Sequence, residues 1–164
     1  MRNNFNDKWL GLSAVDLSKY IVSKCYLDDN PVTNIKLQCL LYIIQEYFLS
    51  CDMIAFFDDF EAWAFGAVIP NSYYYFCGFG AMPITNTYDI DIQHRYKGFV
   101  DLIIDTYREK NPYELFDRIT KEGSAWRLIY QNGNGKGKTV PFDLIKSKAA
   151  INGLVGENMN EGVG

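Results

Sequence analysis

Residues 33–49 read TNIKLQCLLYIIQEYFL, and their apolar side chains recur at helical spacing. At about 100° per residue, five of them share one face of a helix: Leu37, Leu40, Leu41, Ile44 and Phe48. The other faces are almost as apolar, so such a helix must be covered on several sides. Thr33 or Asn34 can supply the side-chain oxygen that caps its first turn. The segment therefore predicts a central buried helix over about residues 33–50.

The length and composition of the chain indicate one soluble domain. Of the 164 residues, 48% are hydrophobic and 22% are charged, which is enough apolar material for a sizeable core. We expect residues 1–151 to form this domain and residues 152–164, rich in Gly and Asn, to form a flexible C-terminal tail. The central segment is too short, and too polar at its ends, to span a membrane.

The cysteines and the N-terminus both predict a cytoplasmic protein. The first eight residues contain no apolar run of the kind that a secretory signal needs. The four cysteines stand at positions 25, 39, 51 and 77 without a C-x-x-C pair, and their spacing fits no zinc site. We expect Cys25 and Cys39 to be small core residues in a reducing compartment, and we predict no metal and no other cofactor.

The charge balance argues against direct binding to nucleic acid. The net charge is −4 and the pI is about 5.0, and no basic stripe is available for phosphate contacts. Aromatic residues reach 16%, including 12 Tyr and 11 Phe. Because tyrosine combines an apolar ring with a polar tip, this surplus suits both the rim of a core and a surface that binds a partner protein.

The remaining patterns predict a mainly α, compact single-domain fold with short β segments near residues 54–65 and 126–140. Residues 60–65 fit either a short strand or a helical turn. Further helices are predicted over residues 16–27, from Pro70, over residues 99–109, from Pro112 and from Val140. In the helix over residues 99–109, the stripe predicted to face the core consists of Phe99, Leu102, Ile103 and Thr106.

Two sets of residues resemble catalytic motifs without meeting their requirements. The glycine-rich stretch from Gly133 to Thr139 follows an apolar run and precedes a helix, as a phosphate-binding loop does. Its spacing fails, however, because Asn132 stands where the motif needs its first glycine. His94, the only histidine, has no partner that sequence can name for acid–base chemistry. We therefore predict no enzymatic activity, and a nucleotide-binding enzyme using this loop is the weaker alternative.

Three sequence blocks follow one another in the order of a known family. They are VDLSKYIV at residues 15–22, TNIKLQCLLYIIQ at residues 33–45 and FEAWAFGAVIP at residues 60–70. Together they resemble the Panacea antitoxin domain over about residues 14–146, and the middle block is quite specific. Four positions depart from the family pattern, which has lysine, proline, histidine and proline where this chain has Cys39, Ala67, Lys121 and Ala125.

The resemblance implies a domain that binds and neutralises a cognate toxin protein in a toxin–antitoxin system, without catalysis of its own. The alternative is a phage-encoded modulator of a host defence or growth protein, acting as an inhibitor or as a proteolytic adaptor. The signature residues expected in the core are Leu37, Leu40, Leu41, Trp63, Gly66, Val68 and Trp126. The candidate partner-binding residues are Lys36, Tyr42, Gln45, Tyr73 and Tyr74. The first three of these equally suit a buried hydrogen-bond network.

The composition of residues 152–164 generates a prediction about stability. These residues carry few apolar side chains and much glycine, so little would offset the entropy lost on ordering them. Truncation after Ile151 should therefore shift the melting temperature, measured by circular dichroism, by no more than about two degrees. A much larger loss would show that the tail is docked on the domain.

Overall fold

The protein is described here by a computed structural model covering residues 5–149, so the predicted tail at residues 152–164 lies outside the described residues. This part of the chain contains seven α-helices, which confirms the predicted mainly α fold. In chain order they are α1 (Ala14–Leu27), α2 (Asn34–Ser50), α3 (Pro70–Tyr75), α4 (His94–Arg108), α5 (Pro112–Thr120), α6 (Ala125–Tyr130) and α7 (Phe142–Lys148). Three short strands are β1 (Phe60–Trp63), β2 (Gly66–Val68) and β3 (Thr139–Val140). Short 3₁₀ helices lie at Phe5–Lys8, Cys77–Phe79 and Gln131–Gly133.

Helix α2 is the buried centre of the fold, as its sequence predicts. The Thr33 hydroxyl caps it by accepting a hydrogen bond of 3.3 Å from the Lys36 amide. Helices α1, α3, α4, α5 and α7 and strand β2 all pack against it. The five residues of the predicted stripe are fully buried, and each such side chain stabilises the fold by roughly 1.5–3 kcal/mol.

Two glutamines of α2 are also buried, and each forms hydrogen bonds with residues that flank the β1–β2 segment. Gln45 accepts from the Ala55 amide at 2.8 Å and donates to the Phe56 carbonyl at 2.7 Å. Gln38 accepts from the Ile69 amide at 3.1 Å and donates to the Ser72 hydroxyl at 3.1 Å. Because buried polar groups must be paired, these side chains attach the segments before β1 and after β2 to the central helix.

The strands form an antiparallel sheet with the order β2-β1-β3. Residues Ala64 and Phe65 make the turn between β1 and β2, where Trp63 pairs with Gly66. Gly66 has a φ of +128°, a conformation that favours glycine. A glycine at this position therefore allows the chain to reverse direction at the hairpin. Residues 126–130, in the region predicted to contain a β segment, are helical, and only Thr139–Val140 of that region is a strand.

The face of α4 that meets the core differs from the predicted one. Leu102 is 60% exposed and Thr106 is also exposed. The buried residues are Tyr96, Val100, Ile103, Ile104 and Tyr107. The prediction was therefore wrong for Leu102 and Thr106, whereas Ile103 is buried and Phe99 packs partly buried against the core. The rings of Tyr96 and Tyr107 pack inward, with the Tyr107 hydroxyl paired to that of Tyr47 at 3.0 Å, so the buried face is rotated from the predicted one.

The four cysteines divide into two buried and two exposed thiols, which gives a chemical test of the fold. Burial raises the pKa of the Cys39 thiol to about 12, and burial also raises the pKa of Cys25. Cys51 and Cys77 are exposed. Because the thiolate is the reactive form, a disulfide reagent such as DTNB should titrate two thiols in the native protein and four after unfolding. Rapid reaction of all four in the native protein would contradict the packing around α1 and α2.

Candidate partner-binding surface

Four aromatic side chains meet at the outer side of the β1–β2 hairpin and helix α3. These are Trp63, Phe65, Tyr73 and Tyr74, and we call them the aromatic surface. The ring centroids of neighbouring pairs lie 5.2–5.9 Å apart, in tilted or edge-to-face contacts. Tyr74 is 62% exposed, and the other three are partly buried. Such mutual contacts stabilise the rings in one arrangement while leaving part of each open to solvent.

The elements beneath hold the aromatic surface in place. Pro70 begins α3 at the first helical position, as predicted. The Asn34 side chain, at the start of α2, donates to the Tyr73 carbonyl at 2.9 Å. The indole of Trp126, on α6, donates to the Trp63 carbonyl at 2.9 Å. The surface is therefore tied at two points to buried residues of the domain.

Trp63 does not lie in the core, which corrects its assignment as a core signature residue. In β1, alternate side chains point to opposite sides of the sheet. Phe60 and Ala62 are buried, whereas Glu61 and Trp63 are partly exposed. The Trp63 indole donates to the Glu61 carboxylate at 2.8 Å. This placement could have been predicted from the sequence FEAW. If the charged Glu61 faces solvent, strand alternation places Trp63, two residues later, on the same outer side.

The other expected signature residues are buried. Trp126 is 4% exposed and stacks on Tyr130 with a centroid distance of 4.5 Å. The remaining five are Leu37, Leu40, Leu41, Gly66 and Val68, and the structure places each of them inside the domain.

Two of the five predicted partner-binding residues, Tyr42 and Gln45, are fully buried and cannot contact a partner at the surface. Tyr42 packs edge-to-face on Phe60 at 5.1 Å. Burial, together with the negative charge of Glu46, raises the pKa of Tyr42 well above its ordinary value. The prediction failed because α2 is covered on the side that carries Tyr42 and Gln45 as well as on its main stripe.

Lys36 is only partly buried but serves a different contact. Its ammonium group donates to the Arg108 carbonyl at 2.6 Å, where a cation is favoured by the negative end of helix α4. Lys36 follows Asn34 by two positions, which places it on roughly the opposite side of α2. Asn34 bonds to Tyr73, so Lys36 points away from the aromatic surface. Of the predicted residues, the structure therefore brings together only Tyr73 and Tyr74, and it adds Trp63 and Phe65.

The glycine-rich loop at residues 133–139 is closed by its own hydrogen bonds. Each backbone amide from Asn134 to Lys138 donates to a carbonyl oxygen, over distances of 2.7–3.2 Å. The amide of Gly137 bonds to Ala62 in β1, which fastens the loop to the sheet. A phosphate-binding loop needs free amides that point at the ligand. These five amides are engaged elsewhere, so the loop is built as a connection to β3.

The acidic residues near the hairpin also have structural contacts. The Asp58 carboxylate accepts from the Ala14 amide at 2.9 Å, at the start of α1. Within residues 5–149, no three or more His, Cys, Asp or Glu side chains lie close enough together to hold a metal ion. His94 is exposed at the first position of α4.

Comparison with family models, with curated proteins and with solved structures finds no match to this chain. Across the described part of the chain, none of the helices combines the length and the apolar character needed to cross a membrane.

Large, ordered aromatic side chains at a surface supply contact area at a low cost in conformational entropy. For this reason Tyr and Trp are enriched among the residues that dominate protein–protein binding. The aromatic surface combines both types with one carboxylate, that of Glu61. Its arrangement suits the binding of another protein.

The two tryptophans provide a test of this placement. Trp126→Ala removes a buried ring and should cost about 3–5 kcal/mol of unfolding free energy. Trp63→Ala removes a partly exposed ring and should cost roughly half as much, because less surface is returned to water. Urea unfolding followed by circular dichroism measures both. Equal losses, or a greater loss for Trp63→Ala, would show that Trp63 belongs to the core.

Proposed function

We propose that this protein is a binding module that holds another protein against its aromatic surface, and that this partner is a toxin which it neutralises. The observation that carries the proposal is the cluster of Trp63, Phe65, Tyr73 and Tyr74, partly exposed and anchored from below. The resemblance of about residues 14–146 to the Panacea antitoxin domain supplies the toxin as the partner. On this proposal the protein acts in the cytoplasm and by binding alone.

A cleft beside the aromatic surface enlarges the area that a partner protein could cover. Phe65 also lines a narrow cleft with Ile35 at the start of α2 and Phe116 on α5. Ile35 is 46% exposed. A stable complex buries about 800 Å² on each partner, which is more than four partly buried rings can offer. We propose that the partner covers the hairpin, α3 and this cleft together.

The charge of the protein favours a basic partner. The net charge is −4, and Glu61 lies within the aromatic surface. Opposite charge on the partner would accelerate association and orient the encounter. The aromatic contacts would then determine how slowly the complex dissociates.

The proposal predicts that the double variant Tyr73→Ala, Tyr74→Ala binds the partner at least about tenfold more weakly than the wild type, since truncating anchors of this kind typically costs 2 kcal/mol or more. On this proposal the toxin is encoded by a gene beside this one; expression of that gene alone should stop growth, and co-expression of this protein should restore it. The two proteins should co-purify. Calorimetric titration of the purified pair measures the affinity.

A matched control is the double variant Tyr26→Ala, Tyr113→Ala. Both tyrosines are exposed, at 43% and 80%, and neither belongs to the aromatic surface. This control should bind and rescue as the wild type does, and circular dichroism should show all three proteins folded. If both double variants bound the partner equally weakly, the aromatic surface would not be the binding site. Rescue of growth without any physical association would contradict neutralisation by binding.

A further inference from the structure

A second cleft lies where the end of α4 meets α5. Its lining residues are Thr106, Tyr107, Lys110, Glu114, Leu115 and Arg118. Its volume is about 230 Å³, below the roughly 300–1,000 Å³ of sites for drug-sized ligands. None of these residues belongs to the aromatic surface. The cleft has room for one small molecule.

The side chain of Arg118 forms the charged wall of this cleft. Its guanidinium carbon lies 4.9 Å from the centre of the Tyr107 ring, within the range of a cation–π contact. Two of its nitrogens, Nε and Nη2, are buried and donate to no acceptor among the described residues. A buried charged donor without an acceptor is unfavourable. The free energy of this site would therefore improve if an anion reached the guanidinium.

The geometry of these two nitrogens selects the kind of anion. Nε–H and one Nη2–H point in the same direction and form a fork that matches the two oxygens of a carboxylate or two oxygens of a phosphate. Among the lining residues, Lys110 and Arg118 carry positive charge and Glu114 carries negative charge. The formal sum is one positive charge, which is balanced by a monoanion. A phosphate dianion would leave excess negative charge beside Glu114.

We propose that the α4–α5 cleft binds a small monocarboxylate, with Arg118 as its bidentate donor and Lys110 as a second cation at the entrance. Both fork nitrogens are covered in the structure. On this proposal the Arg118 side chain shifts within the cleft, and the two fork nitrogens then donate to the carboxylate of the ligand. The site is independent of the aromatic surface and of the partner bound there.

Thermal unfolding in sodium propionate tests the proposal, with sodium chloride and sodium phosphate at equal ionic strength as references. A ligand that binds only the folded protein raises its melting temperature. The melting temperature of the wild type should therefore be higher in propionate than in either chloride or phosphate. Arg118→Gln removes the charge, and Arg118→Lys keeps the charge but loses the fork. In both variants the affinity for propionate, obtained from the dependence on concentration, should fall at least about tenfold. Arg95→Gln, which alters an exposed arginine at the start of α4, should respond as the wild type does.

Three outcomes would overturn the proposal. The first is no rise in melting temperature with propionate at about 50 mM, where a millimolar site would be filled. The second is an equal rise in the wild type and in Arg118→Lys. The third is a larger rise with phosphate than with propionate. If both Arg118 variants fail to fold, the Arg118 Nε–H signal in ¹H–¹⁵N spectra of the wild type decides, because it should move with propionate and stay in place with chloride.

Discussion

Burial of α2 on all sides is the constraint from which much of the remaining structure follows. On a helix in this position, a buried side-chain amide is costly unless it finds hydrogen-bond partners. Gln38 and Gln45 meet this requirement by bonding to irregular backbone on either side of the β1–β2 hairpin. The same bonds hold the hairpin against the helix, so residues that look polar in the sequence act as supports of the core.

The division of aromatic residues between core and surface depends on this support. With the hairpin held in place, strand alternation turns Phe60 inward, where it packs on Tyr42, and turns Trp63 outward. The Trp63 carbonyl accepts the indole of the buried Trp126. The outer ring is thus connected to the core through its own backbone. A surface anchored in this way is ordered without a partner, which would lower the entropy cost of the binding that we propose.

Helix α5 separates the two regions to which we assign binding. Phe116, Ile119 and Thr120 line the cleft shared with Phe65, whereas Glu114, Leu115 and Arg118 line the cleft shared with α4. At about 100° per residue, these two sets lie on nearly opposite sides of the helix. A protein partner on one side and a small anion on the other could therefore be bound at the same time. The two sites can be altered by substitutions that do not overlap.

The sequence by itself determined the elements whose signals are local. The apolar periodicity and Thr33 predict α2, Pro70 predicts the start of α3, and Pro112 predicts the start of α5, where the structure has it in the first turn. Each of these signals depends on residues within a few positions of one another. The mainly α architecture and two residues of the aromatic surface, Tyr73 and Tyr74, could be predicted on this basis.

Only the tertiary structure decided which sides of these elements are covered. Tyr42 is buried because the hairpin packs over it. The ammonium group of Lys36 donates to a carbonyl at the end of α4, and the rings of Tyr96 and Tyr107 are buried on the inner side of α4. Trp63 and Phe65 join Tyr73 because a turn brings β1 and α3 together. The unpaired fork of Arg118 likewise follows from the packing of α5 on α4. Tyrosine and tryptophan suit both buried and exposed positions, because each combines an apolar ring with a polar group. Which of the two they occupy depends on the packing of distant segments, and no local sequence pattern encodes that packing.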